Sequence, residues 1–134
     1  MKNSYDAIII GVGSIGVPTA MALSQNKVKT LVIENCPSIG QENNKKAIGG
    51  LRATHSEKSK IKICLRSLEI VSTWEEIHGD DIQWMSNGYS FPAYTPEIAE
   101  QLKSTMKIQH AYGLNIHWIG PDEYAELVPG INKT

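Results

Sequence analysis

The chain has 134 residues, of which 41% are hydrophobic and 20% are charged, and its 13 basic and 14 acidic residues leave a formal net charge of −1. This composition is typical of a globular protein and excludes a disordered chain. Because the charges are well mixed, we expect no nucleic-acid partner. No apolar run reaches the length of a transmembrane helix, so we expect no integral membrane segment.

The cysteines and histidines indicate neither a disulfide framework nor a metal site. Cys36 and Cys64 are far apart and form no CxxC pair, which favours reduced thiols and a cytoplasmic location. The histidines share no ligand spacing, so we expect no bound metal. The apolar run over residues 7–17 resembles the core of a secretory signal, but Asp6 and regularly spaced glycines argue against that alternative.

The first 34 residues carry the most informative pattern. A continuously apolar strand is predicted over residues 5–10, a helix over 14–26 and a second strand over 28–33, which together make a right-handed βαβ unit. Gly11-x-Gly13-x-x-Gly16 joins the first strand to the helix, and Glu34 follows the second strand, 18 residues beyond the last glycine. This combination predicts a dinucleotide site.

Each part of the glycine motif has a physical task at such a site. Gly11 permits the tight turn, Gly13 lets the backbone approach a diphosphate, and Gly16 lets the helix pack closely on the strand. The helix N-terminus offers free amides to phosphates, and Glu34 would accept hydrogen bonds from ribose hydroxyls. The residues predicted to bind the cofactor here are Gly11, Val12, Gly13, Ser14, Ile15, Gly16, Glu34 and Asn35. By itself the motif leaves FAD, NAD(P) and no ligand open.

The pattern changes in the remaining chain. The predicted elements are, in order, a polar loop over 35–50, a helix over 56–77, a β-hairpin formed by 82–84 and 89–91, a helix over 96–112, a strand over 115–119 and a short helix over 121–127. Hairpin and single-strand elements therefore replace the parallel unit near residue 80. We predict two domains, residues 1–80 and 81–134.

Four groups of residues, in a fixed order along nearly the whole chain, resemble one enzyme family. They are Gly11-x-Gly13-x-x-Gly16-x-x-x-Ala20 with Glu34; Gly49-Gly50-Leu51-Arg52; Leu65-Arg66-Ser67-Leu68-Glu69 with Trp74; and Gly88-Tyr-Ser-Phe-Pro92 followed by Gly120-Pro121-x-Glu123 and Leu127-x-Pro129-Gly130. The family is the D-amino-acid oxidase superfamily of FAD-dependent oxidoreductases. The branch of sarcosine oxidase, glycine oxidase and dye-linked proline dehydrogenase is the most similar.

The resemblance implies an α/β fold with a Rossmann-like FAD-binding opening, followed by the start of an α+β substrate domain. It implies oxidation of an amino acid or secondary amine by hydride transfer to the flavin, which would lie over Gly49 and Gly50. Arg52 matches the position of an arginine that faces the substrate carboxylate, and is the candidate catalytic residue; a surface arginine is the alternative. Lys46 is a candidate diphosphate contact, with a solvated loop lysine as the alternative.

Two departures from the family pattern affect these expectations, one in the loop before the double glycine and one in the length of the chain. The loop before the double glycine is usually rich in Ser and Gly but here contains Asn43-Asn44-Lys45-Lys46, so its backbone contacts are either replaced by side chains or lost. The same loop contains no histidine for covalent attachment, so FAD is expected to be non-covalent.

Family members are several hundred residues long. We therefore expect the 134 residues to be the N-terminal portion of such an enzyme and to be inactive alone. Two alternatives remain. One is a short flavin-site subunit or interaction module whose site is completed by a partner subunit, and the other is a small NAD-dependent Rossmann reductase.

Overall fold

The secondary structure of the chain, taken from a computed structural model that describes residues 4–132, combines one parallel sheet with helices. The elements are β1 (Ala7–Ile10), α1 (Gly16–Gln25), β2 (Thr30–Ile33), α2 (Asn43–Lys46), α3 (Lys58–Ser72), α4 (Trp74–His78), α5 (Pro96–Ala111) and α6 (Pro121–Leu127). The chain divides between Gly50 and Leu51 into two compact units. The predicted domains, 1–80 and 81–134, stay a prediction, because a division into compact units does not by itself define the domain boundaries.

The first unit contains the predicted βαβ arrangement. β1 and β2 pair in parallel, with Ala7 opposite Thr30 and Ile10 opposite Ile33. The amide of Gly11 extends the pairing by donating to the carbonyl of Ile33 at 2.7 Å. The predicted strand, helix and strand are thereby confirmed, with shorter bounds than expected, and the fold is mixed α/β.

The end of α1 is a Schellman motif without glycine. The amide of Val28 donates to the carbonyl of Leu23 at 3.0 Å, and the amide of Lys27 donates to the carbonyl of Ser24 at 2.9 Å. This geometry requires a left-handed residue after the helix, and Lys27 adopts it with φ of 59°. A residue with a Cβ atom is sterically destabilised in this left-handed conformation.

The two faces of β1 differ in their surroundings. A side chain at Gly16 in α1 would lie 3.4 Å from Cγ2 of Ile9, so Ile9 is on the helix-covered face. Ile8 and Ile10 point the other way and are 60% and 86% exposed. Strands of parallel sheets are ordinarily covered on both faces, so one face of this sheet is left open within the described residues.

The polar segment 35–50 was expected to be a loop and contains one short helix, α2. Its backbone is fixed to the turn that follows β1 because the amide of Gly40 donates to the carbonyl of Val12 at 3.1 Å. Gly40 has φ of +69° and Glu42, which precedes α2, has φ of 57°. Two left-handed residues close together allow the segment to return to the turn that follows β1.

The second unit has a small apolar core. Ala53, Ile61 and Leu114 are buried together, and the half-buried residues packed against them are Cys64, Leu65, Leu68, Tyr112 and Ile116. The side-chain amide of the buried Gln109 donates to the carbonyl of His55 at 3.2 Å. The core therefore joins the segment before α3 to the residues that follow α5.

The helix predicted over 56–77 is divided into α3 and α4 at Thr73. The Thr73 hydroxyl donates to the carbonyl of Glu69 at 2.9 Å, and the Ser72 hydroxyl donates to the same carbonyl at 3.1 Å. Such bonds back to the preceding turn bend helices, which explains the interruption. α4 is followed by Gly79, which has φ of 77°.

The predicted β-hairpin and the predicted strand over 115–119 are wrong. Residues 79–95 and 112–120 contain no strand. Gln83 has φ of 56°, and its amide donates to Oδ1 of Asp81 at 2.6 Å, which forms a turn where the first hairpin strand was expected. A two-stranded hairpin without further strands is only marginally stable, so the alternating pattern alone does not produce one.

The last two helices agree with expectation. α5 begins after Thr95, whose hydroxyl accepts a hydrogen bond from the amide of Ile98 at 3.4 Å, and α6 begins at Pro121, a favoured first position. Within residues 4–132, no helix combines the length and apolar character that a bilayer crossing needs.

Candidate dinucleotide site

A larger residue would disturb the fold at Gly11 and Gly16, whereas the space beside Gly13 is open. Gly11 has φ of +99°, a conformation that side chains disfavour. A Cβ atom at Gly16 would collide with the carbonyl oxygen of Gly11, so α1 can approach β1 only with glycine there. A Cβ at Gly13 would meet no protein atom within 4 Å, so its open side faces space that a ligand can use.

Glu34 closes this turn from the end of β2. Its Oε2 accepts a hydrogen bond from the amide of Val12 at 2.8 Å. Its Oε1 accepts from the amides of Asn35 at 2.7 Å and Cys36 at 2.8 Å. The Cys36 amide, followed by the Val12 amide, lowers the pKa of Glu34 below its ordinary value, so the side chain is a carboxylate at neutral pH. A carboxylate offers about four acceptor positions, which leaves capacity for a hydroxyl donor.

An open groove of about 600 Å³ follows the turn. This volume lies within the range of small-molecule sites. The groove is lined by Ile9, Ile10, Gly11, Val12, Gly13, Ser14, Ile15, Gly16, Thr19, Glu34, Cys36, Gln41, Glu42, Asn43 and Asn44. The structure therefore brings the glycine turn and Glu34 together in one concave surface, all within the first unit.

The N-terminus of α1 opens into this groove without a capping side chain. Ile15 provides no side-chain hydrogen bond, and the first turn contains no acidic residue. Pro18 has no amide hydrogen, and the amide of Val17 already donates to the carbonyl of Gly13 at 3.1 Å. The amides offered to a ligand are therefore those of Ser14, Ile15 and Gly16, where the helix dipole places partial positive charge. An anionic group such as a diphosphate is the natural acceptor for these amides. The residues present therefore fit a dinucleotide.

Other predicted cofactor-binding residues are not among the residues that line the groove. Lys46 forms an ion pair with Glu42 across 3.5 Å, and both side chains are largely exposed. Gly49 has φ of +76°, and Gly49 and Gly50 are both exposed. The side chain of Asn35 is exposed, although its amide bonds to Glu34. The cofactor contacts of these residues stay predictions.

Arg52, the predicted catalytic residue, lies in the second unit. Its Nη1 donates to the carbonyl oxygen of Thr54 at 3.0 Å and to the Thr54 hydroxyl at 3.3 Å. The guanidinium carbon is 5.3 Å from the centre of the Phe91 ring. Its position is thus defined by two neighbours, and its role towards a substrate stays a prediction.

Sequence reasoning missed several residues of the groove. Cys36, Gln41, Glu42, Asn43 and Asn44 line it but were not among the predicted cofactor-binding residues. The available signal was the pair Asn43-Asn44 in a loop where the family has Ser and Gly. This difference indicated that side chains could replace backbone contacts to the cofactor, but it did not show where those side chains would lie. Burial, with Glu34 and then Glu42 nearby, raises the pKa of the Cys36 thiol, which keeps it neutral.

Metal-ligating side chains do not gather anywhere in the part of the chain that the structure describes. Among residues 4–132, no group of three or more His, Cys, Asp or Glu side chains could hold a metal ion. The groove, with its glycine turn and carboxylate, is the site that the described geometry supports.

Comparisons with known proteins identify the family of the chain. The sequence pattern of DAO, FAD dependent oxidoreductase, matches residues 6–134. Mitochondrial sarcosine dehydrogenase of Mus musculus is 24% identical over 133 residues, which cover 98% of this chain and 14% of that protein. The crystal structure of L-proline dehydrogenase from P. horikoshii superimposes with a TM-score of 0.88 at 26% identity, covering 99% of this chain and 35% of the other. The chain thus spans only a minor part of each relative.

Proposed function

This chain belongs to the DAO family of FAD-dependent oxidoreductases, and from that premise we propose that it binds the adenosine diphosphate portion of FAD in an enzyme that oxidises an amino acid or a secondary amine. The observation that carries the proposal is the Glu34 carboxylate, bonded to the Val12 amide at 2.8 Å beside the open face of Gly13. The family supplies the flavin, and the relatives named a sarcosine and a proline dehydrogenase support the substrate class.

The residues of the groove have separate tasks in this proposal. The amides at the start of α1 bind the diphosphate, and Gly13 allows the close approach. Glu34 accepts hydrogen bonds from the adenosine ribose hydroxyls while its backbone partners hold the carboxylate in place. When bound, FAD supplies the hydride acceptor, and the protein provides binding and orientation.

Arg52 has the role of binding the substrate carboxylate in this proposal. A guanidinium stays charged and presents a planar pair of donors that matches a carboxylate. Gly49 and Gly50 supply a backbone without side chains beneath the flavin, and Lys46 supplies a positive charge to the diphosphate. The assignments of Arg52, Gly49 and Gly50 rest on the match of these residues to a family motif, and the assignment of Lys46 rests on its positive charge in the preceding loop.

We further propose that FAD is held non-covalently and that additional polypeptide, from the same protein or a partner subunit, covers the open sheet face. Segment 35–50 has no histidine for attachment, and Ile8 and Ile10 are largely exposed. With such open surfaces, the 134 residues alone would not turn over a substrate.

The unpaired thiols Cys36 and Cys64 support a cytoplasmic location.

The binding proposal is tested by titrating the chain with ADP and FAD in a calorimeter. Saturable binding of both, weakened by Glu34→Gln, is the expected result. Adenosine 2′,5′-diphosphate should bind more weakly than AMP, which has the same single 5′-phosphate, because a carboxylate repels a 2′-phosphate. Glu126→Gln removes an exposed carboxylate outside the groove and serves as the control. Absence of ADP binding, or equal affinity for AMP and the 2′-phosphorylated nucleotide, would contradict the site. Release of bound flavin on denaturation tests non-covalent attachment.

A further inference from the structure

The environment of Arg52 differs from that of the other arginine in the chain. Arg66 forms a salt bridge with Glu69 at 2.6 Å on the exposed side of α3. Arg52 has no acidic partner among residues 4–132; it donates through Nη1 alone to the carbonyl and hydroxyl oxygens of Thr54. Its charge is therefore oriented by neutral groups and is not neutralised by them.

The hydrogen bonds of Arg52 leave one specific edge of the guanidinium free. Both protein contacts use Nη1, and within the described residues neither Nε nor Nη2 has a protein acceptor. Nε and Nη2 form the side edge of the fork, whose two parallel donors match the oxygens of a carboxylate. The arginine is exposed, so this edge is accessible.

The ring of Phe91 restricts the guanidinium from a second direction. The separation of 5.3 Å is within the range of a cation–π contact. Phe91 belongs to the segment without helix or strand, but its neighbour Ser90 is hydrogen-bonded to the Tyr124 hydroxyl in α6 at 3.0 Å. The ring is thus connected to a helix, and it can hold Arg52 in place.

We propose that Thr54 and Phe91 are positioning residues that hold Arg52 with its Nε–Nη2 edge free to bind a carboxylate. The ligand in this inference rests on the proposed function of Arg52 towards an amino-acid substrate. A long arginine side chain loses rotamer freedom when it binds, and neighbours that fix it beforehand reduce this entropic cost.

The test uses NMR of the whole chain with ¹⁵N-labelled arginine. Only two Nε–H signals are present, from Arg52 and Arg66, and Arg52→Lys assigns them. The NMR order parameter of each Nε–H group is measured first without ligand. Sodium acetate is then added as the carboxylate ligand, and sodium chloride is added to a second sample as the ionic-strength control. In the wild type, Arg52 should be ordered and should shift with acetate, while Arg66 should respond little.

Phe91→Leu should lower the order of the Arg52 Nε–H group and weaken acetate binding roughly two- to fivefold, as expected for loss of a cation–π contact. Phe91→Tyr keeps the ring and should restore both. Thr54→Val, which removes the hydroxyl acceptor but keeps the carbonyl, should have a smaller effect in the same direction. Trp118→Leu is the matched control, because it removes another ring, 5.1 Å from Nζ of Lys103, and should leave Arg52 unchanged.

The outcomes separate this inference from the proposed function. Unchanged Arg52 order and acetate affinity in both Phe91→Leu and Thr54→Val would overturn the positioning role, whatever the nucleotide binding. An Arg52 signal that responds to acetate no more than Arg66 would overturn the carboxylate assignment. Failure of ADP to bind the same wild-type sample would instead contradict the proposed cofactor site alone. If the backbone amide signals of Phe91→Leu lose their chemical-shift dispersion, that variant is unfolded, and the result for Thr54→Val then decides whether the positioning role holds.

Discussion

The carboxylate of Glu34 accepts a hydrogen bond from the amide of Val12 at 2.8 Å, joining the end of β2 to the turn between β1 and α1. The same side chain accepts from the two amides that follow it, those of Asn35 and Cys36. Glu34 thus stabilises the shape of the site as well as offering acceptors to a ligand. Its effects on folding and on binding can be measured separately.

Stability should depend on the ionisation of Glu34. Its pKa is lowered from the ordinary value of 4.5, mainly by the Cys36 amide and then by the Val12 amide, so the folded chain holds this proton less tightly than the unfolded chain. The stabilising contribution of Glu34 is therefore complete above pH 4.5, the ordinary pKa of the unfolded chain. It is lost as the pH falls through the lower pKa of the folded chain. Glu34→Gln should be less stable than the wild type at neutral pH, with a smaller difference in acid.

Urea unfolding measured from neutral pH into the acidic range checks this prediction. Glu126→Gln is the control, since it removes a charge at an exposed position without altering the turn. A difference in unfolding free energy between Glu34→Gln and wild type that stays constant at all pH values would show that the ionisation of Glu34 does not contribute to stability.

Gly13 and Gly16 should respond differently to alanine. Gly13→Ala introduces a Cβ that meets no protein atom within 4 Å, so folding should be nearly unchanged. The methyl group faces the groove and should weaken ADP binding by about tenfold or more, which corresponds to roughly 1.4 kcal/mol. Gly16→Ala places its Cβ against the Gly11 carbonyl and should lower stability by about 1–3 kcal/mol. Thermal melts and ADP titrations of both variants provide the comparison, and a stable Gly16→Ala would contradict it.

Lys27 offers a stabilising substitution. Its φ of 59° is unfavourable for a residue with a Cβ, and glycine relieves that cost. Lys27→Gly should therefore raise the free energy of unfolding by about 0.5–1 kcal/mol. Lys27→Val, with a β-branched side chain at positive φ, should lower it, and Lys27→Ala controls for loss of the charge. The order of stability, glycine above alanine above valine, is the measured outcome; valine equal to glycine would refute the assignment of this helix end.

Ile61 should dominate the stability of the second unit. It is 0% exposed, at the centre of the core with Ala53 and Leu114. Ile61→Ala should cost about 2–5 kcal/mol through lost burial and a residual cavity. Ile63, two residues along the same helix, is 68% exposed, and Ile63→Ala should stay within about 0.5 kcal/mol of the wild type. Equal losses in the two variants would show that this helix does not pack as described.

The first unit was predictable because its signals are local and mutually consistent. Three signals restrict the possible structures of this segment jointly: the apolar run before Gly11, the helical pattern after Gly16 and the acidic residue at the end of the second strand. The sequence could not reveal where the Glu34 carboxylate would be directed, since that depends on amides from two separate parts of the chain.

The errors arose where neighbours distant in sequence decide the structure. Alternating apolar residues around Trp84 and Phe91 satisfy a hairpin pattern, but strands need partners, and the segment instead turns at Gln83. The contact of Phe91 with Arg52 could not be predicted, because the two residues are separated by the whole of α3 and α4. Similarly, the helical pattern over 56–77 did not show that the Thr73 hydroxyl would interrupt it.

The hydrogen bond between Gln109 and the carbonyl of His55 joins residues 54 positions apart, whereas Glu34 reaches only 22 positions back to Val12. Loop-closure entropy increases with the length of chain enclosed, and contacts between distant residues slow folding. During synthesis the pairing of β1 with β2 requires only the residues up to Ile33, but the core around Ile61 cannot close until Leu114 has left the ribosome. The residues that line the nucleotide groove, which end at Asn44, are therefore all synthesised before the core that follows Arg52 can close.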